Sequence, residues 1–121
     1  MASVRRDSPP SPLRTNWFHI LVALAAEDRH GRAIARDVLE QTHGALRLWP
    51  ATLYGTLEQM TDAGLVEELP LAEQPGRESE RRNYYHITKV GRAALRAESE
   101  RLEQLARLAQ TRMTLRGSTS R

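Results

Sequence analysis

The amino-acid sequence predicts a mostly helical α+β domain, for three reasons. Apolar residues recur at helical spacing in three consecutive segments, two short alternating segments with turn residues between them follow, and the last long segment is again helical. The 121 residues suit one domain rather than two. With 40% hydrophobic and 27% charged residues, the composition is ordinary for a globular domain, so we expect a hydrophobic core.

Capping and breaking residues set the limits of the first three helices. Thr15 is the expected N-cap of the first helix, and Gly44 can adopt the left-handed conformation that ends the second. Pro50 suits the first turn of the third helix, where its missing N–H leaves no hydrogen bond unmade, and Gly64 ends it. The predicted helices span about 16–28, 32–42 and 50–63.

A β-hairpin and a long helix complete the chain. Leu65–Leu69 alternates like a half-buried strand, residues 83–88 return as a second strand, and residues 70–81 contain the prolines and glycine of a long tip. Thr88 can cap a final helix over about 89–113.

Three helices followed by a two-stranded hairpin is the order of a winged helix-turn-helix. In that fold the third helix enters a major groove and the hairpin, the wing, reaches the neighbouring backbone. The predicted organisation is a flexible basic arm (1–14), the winged domain (15–88), a C-terminal dimerisation helix (89–113) and a flexible tail (114–121).

The net charge of +3 lies in the two ends of the chain. Residues 1–14 carry +2 and residues 112–121 carry +3, which leaves 15–111 at −2. Overall basicity is therefore no argument for nucleic acid. The absence of cysteine excludes disulfides and thiolate sites and suits the cytoplasm. The longest apolar run, from Trp17 to Ala26, is about half the length of a membrane span, so we expect no membrane partner.

Nothing in the sequence predicts an enzyme. The four histidines are dispersed and none has the helical spacing of a zinc site. Glu67 and Glu68 are neighbours in a predicted strand, so they point to opposite faces and cannot act as a catalytic pair. Glycine-rich phosphate loops and nucleophile-elbow motifs are missing. We therefore expect no catalytic residues, no metal and no cofactor.

Four blocks at matching spacing give the chain a family resemblance. They are His30-Gly31, Thr52-Leu53-Tyr54, Gly64-Leu65-Val66 and Arg82-Asn83-Tyr84-Tyr85-His86-Ile87-Thr88, the last followed by Gly91. Over about residues 16–110 the chain resembles the PadR family of bacterial transcriptional repressors. The resemblance implies a winged domain that binds double-stranded DNA, a homodimer formed through the C-terminal helix, and release from DNA by a small molecule or another signal.

The chain departs from the family pattern at three places. Ala51 and Gly55 flank Thr-Leu-Tyr where the family has glycine and proline, so a glycine lies within the third helix, at a typical cost of about 1 kcal/mol relative to alanine. Arg32 replaces the usual tyrosine after His-Gly, and Asn83 stands where a basic residue is common. These changes bear on the DNA contacts rather than on the fold.

The third helix carries no basic residue, so its predicted role is to read bases. Threonine and glutamine can bond base edges, and glycine allows close approach of the backbone. Tyr54 either points its hydroxyl at a phosphate or packs under the wing. The predicted reading face, opposite the apolar stripe of that helix, consists of Thr52, Gly55, Thr56 and Gln59.

The positive charge that would bind DNA phosphates is predicted to lie in the wing, because residues 77–92 carry a net +3. Arg77, Arg81 and Arg82 are the wing candidates for phosphate or minor-groove contact. Arg32, at the start of the second helix, is a further candidate. The N-terminal arm could also lie in a groove, although such arms are more often disordered.

The last helix has a short, imperfect coiled-coil seam, in which Glu98 interrupts the apolar positions. A symmetric dimer would present two reading heads to a palindromic operator. The first helix is apolar almost all round and suits the same interface. The predicted interface residues are Trp17, Leu21, Leu95, Leu102, Leu105 and Ala109.

Three aromatic residues have alternative roles. Trp17 and Phe18 are the candidates for an effector site, although aromatic residues at helical spacing more often belong to a core. Trp49 is expected to staple the third helix to the body.

A different class of function also stays open, because winged helices can be protein-interaction modules that never bind DNA. Arginines in the wing favour the DNA-binding repressor.

Overall fold

The computed structural model describes residues 12–70 and 83–119. Within them, four helices surround a small sheet, so the predicted mostly helical α+β class is confirmed. The elements are α1 Thr15–Ala25, β1 Arg29–His30, α2 Gly31–Gln41, α3 Pro50–Asp62, β2 Val66–Glu68, β3 Tyr84–Ile87 and α4 Lys89–Thr119.

The core lies between α1, α2, α3 and the sheet. Its fully buried side chains come from the apolar stripes of these elements, at the spacing that made them recognisable in the sequence. The first residues of α4 close one side, where Ala94 is 6% exposed. The largest fully buried side chains are Ile20, Leu21, Leu24, Ile34, Val38, Leu57, Met60, Leu65, Val66 and Ile87.

The sheet has three antiparallel strands in the order β1-β3-β2, one more than predicted. Val66 pairs with Ile87, and Arg29 pairs with Tyr85 on the other side of β3. The first helix was predicted to run to residue 28 but ends at Ala25. Arg29 stabilises this early end, because its Nε donates a hydrogen bond to the Ala23 carbonyl (2.7 Å). That carbonyl is one of the last four of α1, which have no partner within the helix.

The predicted caps are partly confirmed. Thr88 caps α4, because its Oγ1 accepts a hydrogen bond from the Gly91 N–H (3.0 Å). Gly44 and Gly64 follow α2 and α3 with φ of +87° and +80°, and glycine adopts this left-handed region without strain. The Thr15 cap is wrong: α1 begins one residue earlier than expected, its N-cap is Arg14, and no side chain caps it.

The two ends of the described chain are more ordered than predicted. Leu13 is 7% exposed, so the folded part of the chain already begins within residues 1–14, the segment predicted to be a flexible arm. Helix α4 was predicted to end at 113 but continues to Thr119 and includes most of the segment expected to be a tail. The rest of the arm and most of the hairpin tip lie outside the described residues.

Candidate nucleic-acid interface

Helix α3 is held by one face and presents the other to solvent. Leu53, Leu57 and Met60 are at most 2% exposed and fix the helix against the core. Thr52, Gly55 and Gln59 are exposed, and their spacing places them together on the outer surface. Space around Gly55 is open, since a Cβ there would meet no atom within 4 Å. These three residues carry no charge and allow close approach, whereas Glu58 and Asp62 are exposed beside them.

Thr56 corrects the predicted reading face. It is only 9% exposed, and its hydroxyl donates to the Thr52 carbonyl one turn earlier (2.7 Å). The apolar stripe of α3 is therefore wider than predicted and takes in this threonine. The outer face is reduced to Thr52, Gly55 and Gln59.

Tyr54 packs beside the sheet, with 41% of its surface exposed. Its ring lies so close to the start of α2 that a Cβ on Gly31 would be 2.3 Å from the tyrosine oxygen. Tyr54 and Glu68 also line one shallow cleft with Tyr85. Burial, helped by Glu68 and Tyr54, raises the pKa of Tyr85 to about 12, so its phenol stays neutral. The packing alternative for Tyr54 is thus the one that these contacts favour.

The basic candidates fall into two groups. Arg77, Arg81 and Arg82 lie outside the described residues. Arg32 is exposed at the start of α2 and shares a cleft with Arg36 and Arg47. Sequence reasoning missed the last two, although Arg32 and Arg36 are four residues apart on a helix and therefore share a face.

Trp49 does not staple α3 to the body as predicted. It is 64% exposed and lies under the Arg47 guanidinium, 5.1 Å from the ring centre. The turn before α3 therefore presents an aromatic–cation pair to solvent.

The candidate dimer surface lies on α4. Leu102 and Leu105 are 39% and 47% exposed, Ala109 is exposed, and Leu95 is half-buried against the core. Sequence reasoning missed Met113, which continues the same stripe and is 66% exposed.

The structure corrects the part assigned to α1. Leu21 is 0% exposed and Trp17 is 6% exposed, so both belong to the core of their own chain. The pattern of α1 is apolar all round because other elements of the same chain cover it. Phe18 is half-buried, with its ring edge-on to His19. Of the two effector candidates, only Phe18 keeps a partly exposed surface.

Glu98 links α4 to the start of the described chain. Its carboxylate is buried and accepts hydrogen bonds from the Leu13 backbone N–H (3.2 Å) and the Arg101 Nε (3.0 Å). The hydrogen bond from Arg101, with a smaller contribution from the Leu13 N–H, lowers the pKa of Glu98 despite burial. The residue that interrupts the seam therefore anchors the N-terminal segment.

Two features are absent from residues 12–70 and 83–119. No helix there is long and apolar enough to cross a membrane. No group of three or more His, Asp or Glu side chains in the same ranges could hold a metal ion.

Comparison with known proteins decides the family. The model of the transcriptional regulator PadR-like family matches residues 20–97, which is more than half of the chain. The chain belongs to the PadR-like family of transcriptional regulators. Its members are regulators rather than enzymes, and the resemblance found in the sequence motifs is confirmed.

Individual transcriptional regulators are similar to this chain in sequence or in fold. The transcriptional regulator Rv3488 of Mycobacterium tuberculosis is 36% identical over 90 residues, which are 74% of this chain and 78% of that protein. A PadR-like regulator from Bacillus cereus has a similar fold, with a TM-score of 0.66 at 17% identity over 81% of this chain and 90% of that one. A regulator from Clostridium thermocellum has a TM-score of 0.65 at 21% identity, over 92% and 97% of the two chains.

Proposed function

We propose that this protein is a cytoplasmic repressor that binds a palindromic operator in double-stranded DNA as a homodimer. The outer surface of α3 carries the proposal: three uncharged residues, Thr52, Gly55 and Gln59, project from a helix that is rigidly anchored on its other side. Glutamine bonds adenine edges and threonine contacts base edges or the thymine methyl, so this surface reads bases rather than phosphates.

The dimer follows from the exposed stripe on α4. Two copies that join along Leu102, Leu105, Ala109 and Met113 would bury side chains that are exposed in one chain. A two-fold axis through this contact gives two reading helices and therefore a palindromic site. Arg77, Arg81 and Arg82 of the wing supply further phosphate contacts in this proposal.

Release by a small molecule is proposed from the family. Phe18 is the side chain that we assign to such a site, because it is partly exposed on α1, whereas Trp17 is enclosed in the core. Bound effector would favour a dimer arrangement whose reading heads no longer match the operator spacing.

Selection of bound fragments from the genome, followed by footprinting, tests this function. We expect a palindromic footprint with half-site centres about 34–36 Å apart. Gln59→Ala should relax the preference for the selected site by about 1–3 kcal/mol, because one base contact is lost. Gln110→Ala makes the same chemical change on exposed α4 and should leave the preference intact. A wild-type protein that does not distinguish the selected fragments from random DNA contradicts the proposal.

The sign of regulation needs a separate measurement. A reporter gene placed behind the selected site should be expressed less when the protein is present than when it is absent. Higher expression with the protein would identify an activator, and equal expression would contradict regulation at that site.

A further inference from the structure

A basic cleft of about 430 Å³ lies between α2 and the turn that leads into α3. We call it the arginine cleft and define it by Arg32, Arg36, Arg47 and Trp49, with Leu39 and Leu48 beneath them. The arginines and Trp49 are exposed, whereas Leu48 is only 5% exposed. The cleft therefore has an apolar base and a cationic opening.

The three arginines are available to a ligand. Among the described residues, no acidic side chain forms an ion pair with any of them, in contrast to Arg29, which pairs with Glu27 (3.3 Å). Arg47 is also oriented, because its guanidinium lies over the exposed ring of Trp49. A guanidinium that is held in place loses little side-chain freedom when it binds phosphate.

The position of the cleft indicates which anion it binds. Trp49 is the N-cap of α3 and Pro50 is its first residue, so the cleft lies at the N-terminal end of the helix proposed to enter the major groove. If α3 docks as the recognition helix of a helix-turn-helix, with its N-terminal residues at the base edges, the sugar-phosphate backbone that borders the groove would pass this end of the helix. Glu58 and Asp62 give α3 itself a negative charge, so phosphates must be held from outside the helix.

We infer that the arginine cleft is a clamp for the phosphodiester backbone of DNA, with Arg36, Arg47 and Trp49 acting together with Arg32. The inference rests on the proposed DNA-binding function and adds the source of its electrostatic affinity. Arg32 and Arg36 are one helical turn apart, about 6 Å along the axis, so they can contact two different phosphates. The stacked Arg47 adds a third contact from the turn before α3.

The test compares two duplexes of equal length, the best fragment from the selection and a scrambled version of it, over a range of salt concentrations. Arg36→Ala with Arg47→Ala should weaken binding to both duplexes about tenfold or more and leave their ratio unchanged. Each lost phosphate contact should make the slope of log affinity against log salt less negative by about 0.9. The expected change is thus about 1.8 for each winged domain.

Arg96→Ala with Arg107→Ala is the matched control, since it removes the same two charges from exposed sites on α4. It should change the slope much less. Trp49→Ala keeps all charges, so the slope should stay as in the wild type. Binding should still weaken severalfold, because the ring no longer orients Arg47, and an unaltered affinity would contradict this orienting role. All replaced residues are exposed, so the variants should fold.

The outcomes separate the two proposals. If the cleft variant and the control have the same affinities and slopes, the clamp is wrong, whatever the sequence preference of the wild type. A different result would separate them the other way. If the wild type binds both duplexes equally, but the cleft variant still binds more weakly and with a less negative slope of log affinity against log salt, the clamp is correct and the sequence-specific function is wrong.

Discussion

The two halves of α4 share one continuous face of the helix but have different surroundings. In the first half, the face that carries Gly91, Ala94 and Glu98 is buried against the winged domain. In the second half, the same face continues as Leu102 and Leu105, and every residue from 102 to 117 is exposed. We call residues 89–101, whose face is covered by the winged domain, the filled half of α4, and the exposed residues 102–117 the bare half. An apolar stripe that continues from a covered segment into an exposed one indicates that something outside this chain covers the bare half.

The difference shows what each half does in the proposed regulator. The first half fixes the direction in which the helix leaves the winged domain. The second half extends about 24 Å beyond it, at 1.5 Å per residue, and is available to a second copy. The spacing of two reading heads would then be set jointly by a rigid attachment and a dimer contact.

Replacing Leu102 and Leu105 with glutamate should have the largest effect, because it removes the contact proposed for the bare half. Half-exposed leucines gain about 1 kcal/mol each when a partner covers them, and a dimer contains four, so association should weaken by roughly 4 kcal/mol. Light scattering should detect a monomer. Thermal unfolding of the winged domain should stay cooperative, since neither leucine is in its core.

Replacing Gln104 and Thr111 with glutamate gives a control for added charge. Both residues are exposed, and their spacing places them on the face of α4 opposite the stripe, so that variant should keep the mass of the wild type. A wild type that is monomeric at micromolar concentrations, or a leucine variant with unchanged mass, would contradict the dimer surface.

Gly91→Ala should have the next largest effect, in the filled half. A Cβ at this position would lie 2.1 Å from the Leu65 carbonyl oxygen, which is backbone and cannot turn aside. Overpacking of this kind typically costs about 1–3 kcal/mol or more, whereas alanine gains only about 1 kcal/mol in helix propensity. Because the clash is with rigid backbone, the cost should be in the upper part of that range, and we expect a net loss of about 1–2 kcal/mol in the free energy of unfolding, measured by urea denaturation.

Gly117→Ala makes the same change in the bare half. A Cβ there meets no atom within 4 Å, so only the propensity gain applies, and stability should be unchanged or slightly higher. Equal effects of the two substitutions would show that the halves are packed alike and would remove the basis of the comparison.

Much of the fold could be predicted because local chemistry decides it. The apolar stripes, the prolines and the glycines after α2 and α3 have the same meaning in any context. The missed strand β1 has only two residues and depends on pairing with β3, more than fifty residues further along the chain. Leu13 is likewise buried in the core and donates its N–H to Glu98, 85 residues further along, and no local pattern contains that information.

The candidate site was predictable in kind and less so in detail. The spacing on α3 placed Thr52, Gly55 and Gln59 on the exposed face, but Thr56 lies at the edge of the stripe, where a small rotation of the helix decides burial. Periodicity also cannot tell which apolar residues face a partner. Leu21 and Leu102 were therefore assigned to the same interface, although one is in the core and the other is exposed.

Glu98→Gln should have the smallest effect and tests the junction between the two halves. Because its folded-state pKa is lowered, the stabilisation from Glu98 is fully present above its ordinary pKa of 4.5 and is lost as the pH falls through the lowered value. Arg101 is 37% exposed on its side chain, so solvent screens the pair, and we expect a loss of about 1 kcal/mol at pH 7. The difference between wild type and variant should disappear in acid.

Urea denaturation at several pH values, with wild type and variant at the same protein concentration, measures this difference. Glu100→Gln makes the same change at an exposed site of α4 and should alter stability at pH 7 by no more than a few tenths of a kcal/mol. If Glu98→Gln is as mild as Glu100→Gln at pH 7, the buried carboxylate does not hold the N-terminal segment against α4. If its effect persists unchanged in acid, it comes from altered packing rather than from the charge that Leu13 and Arg101 recognise.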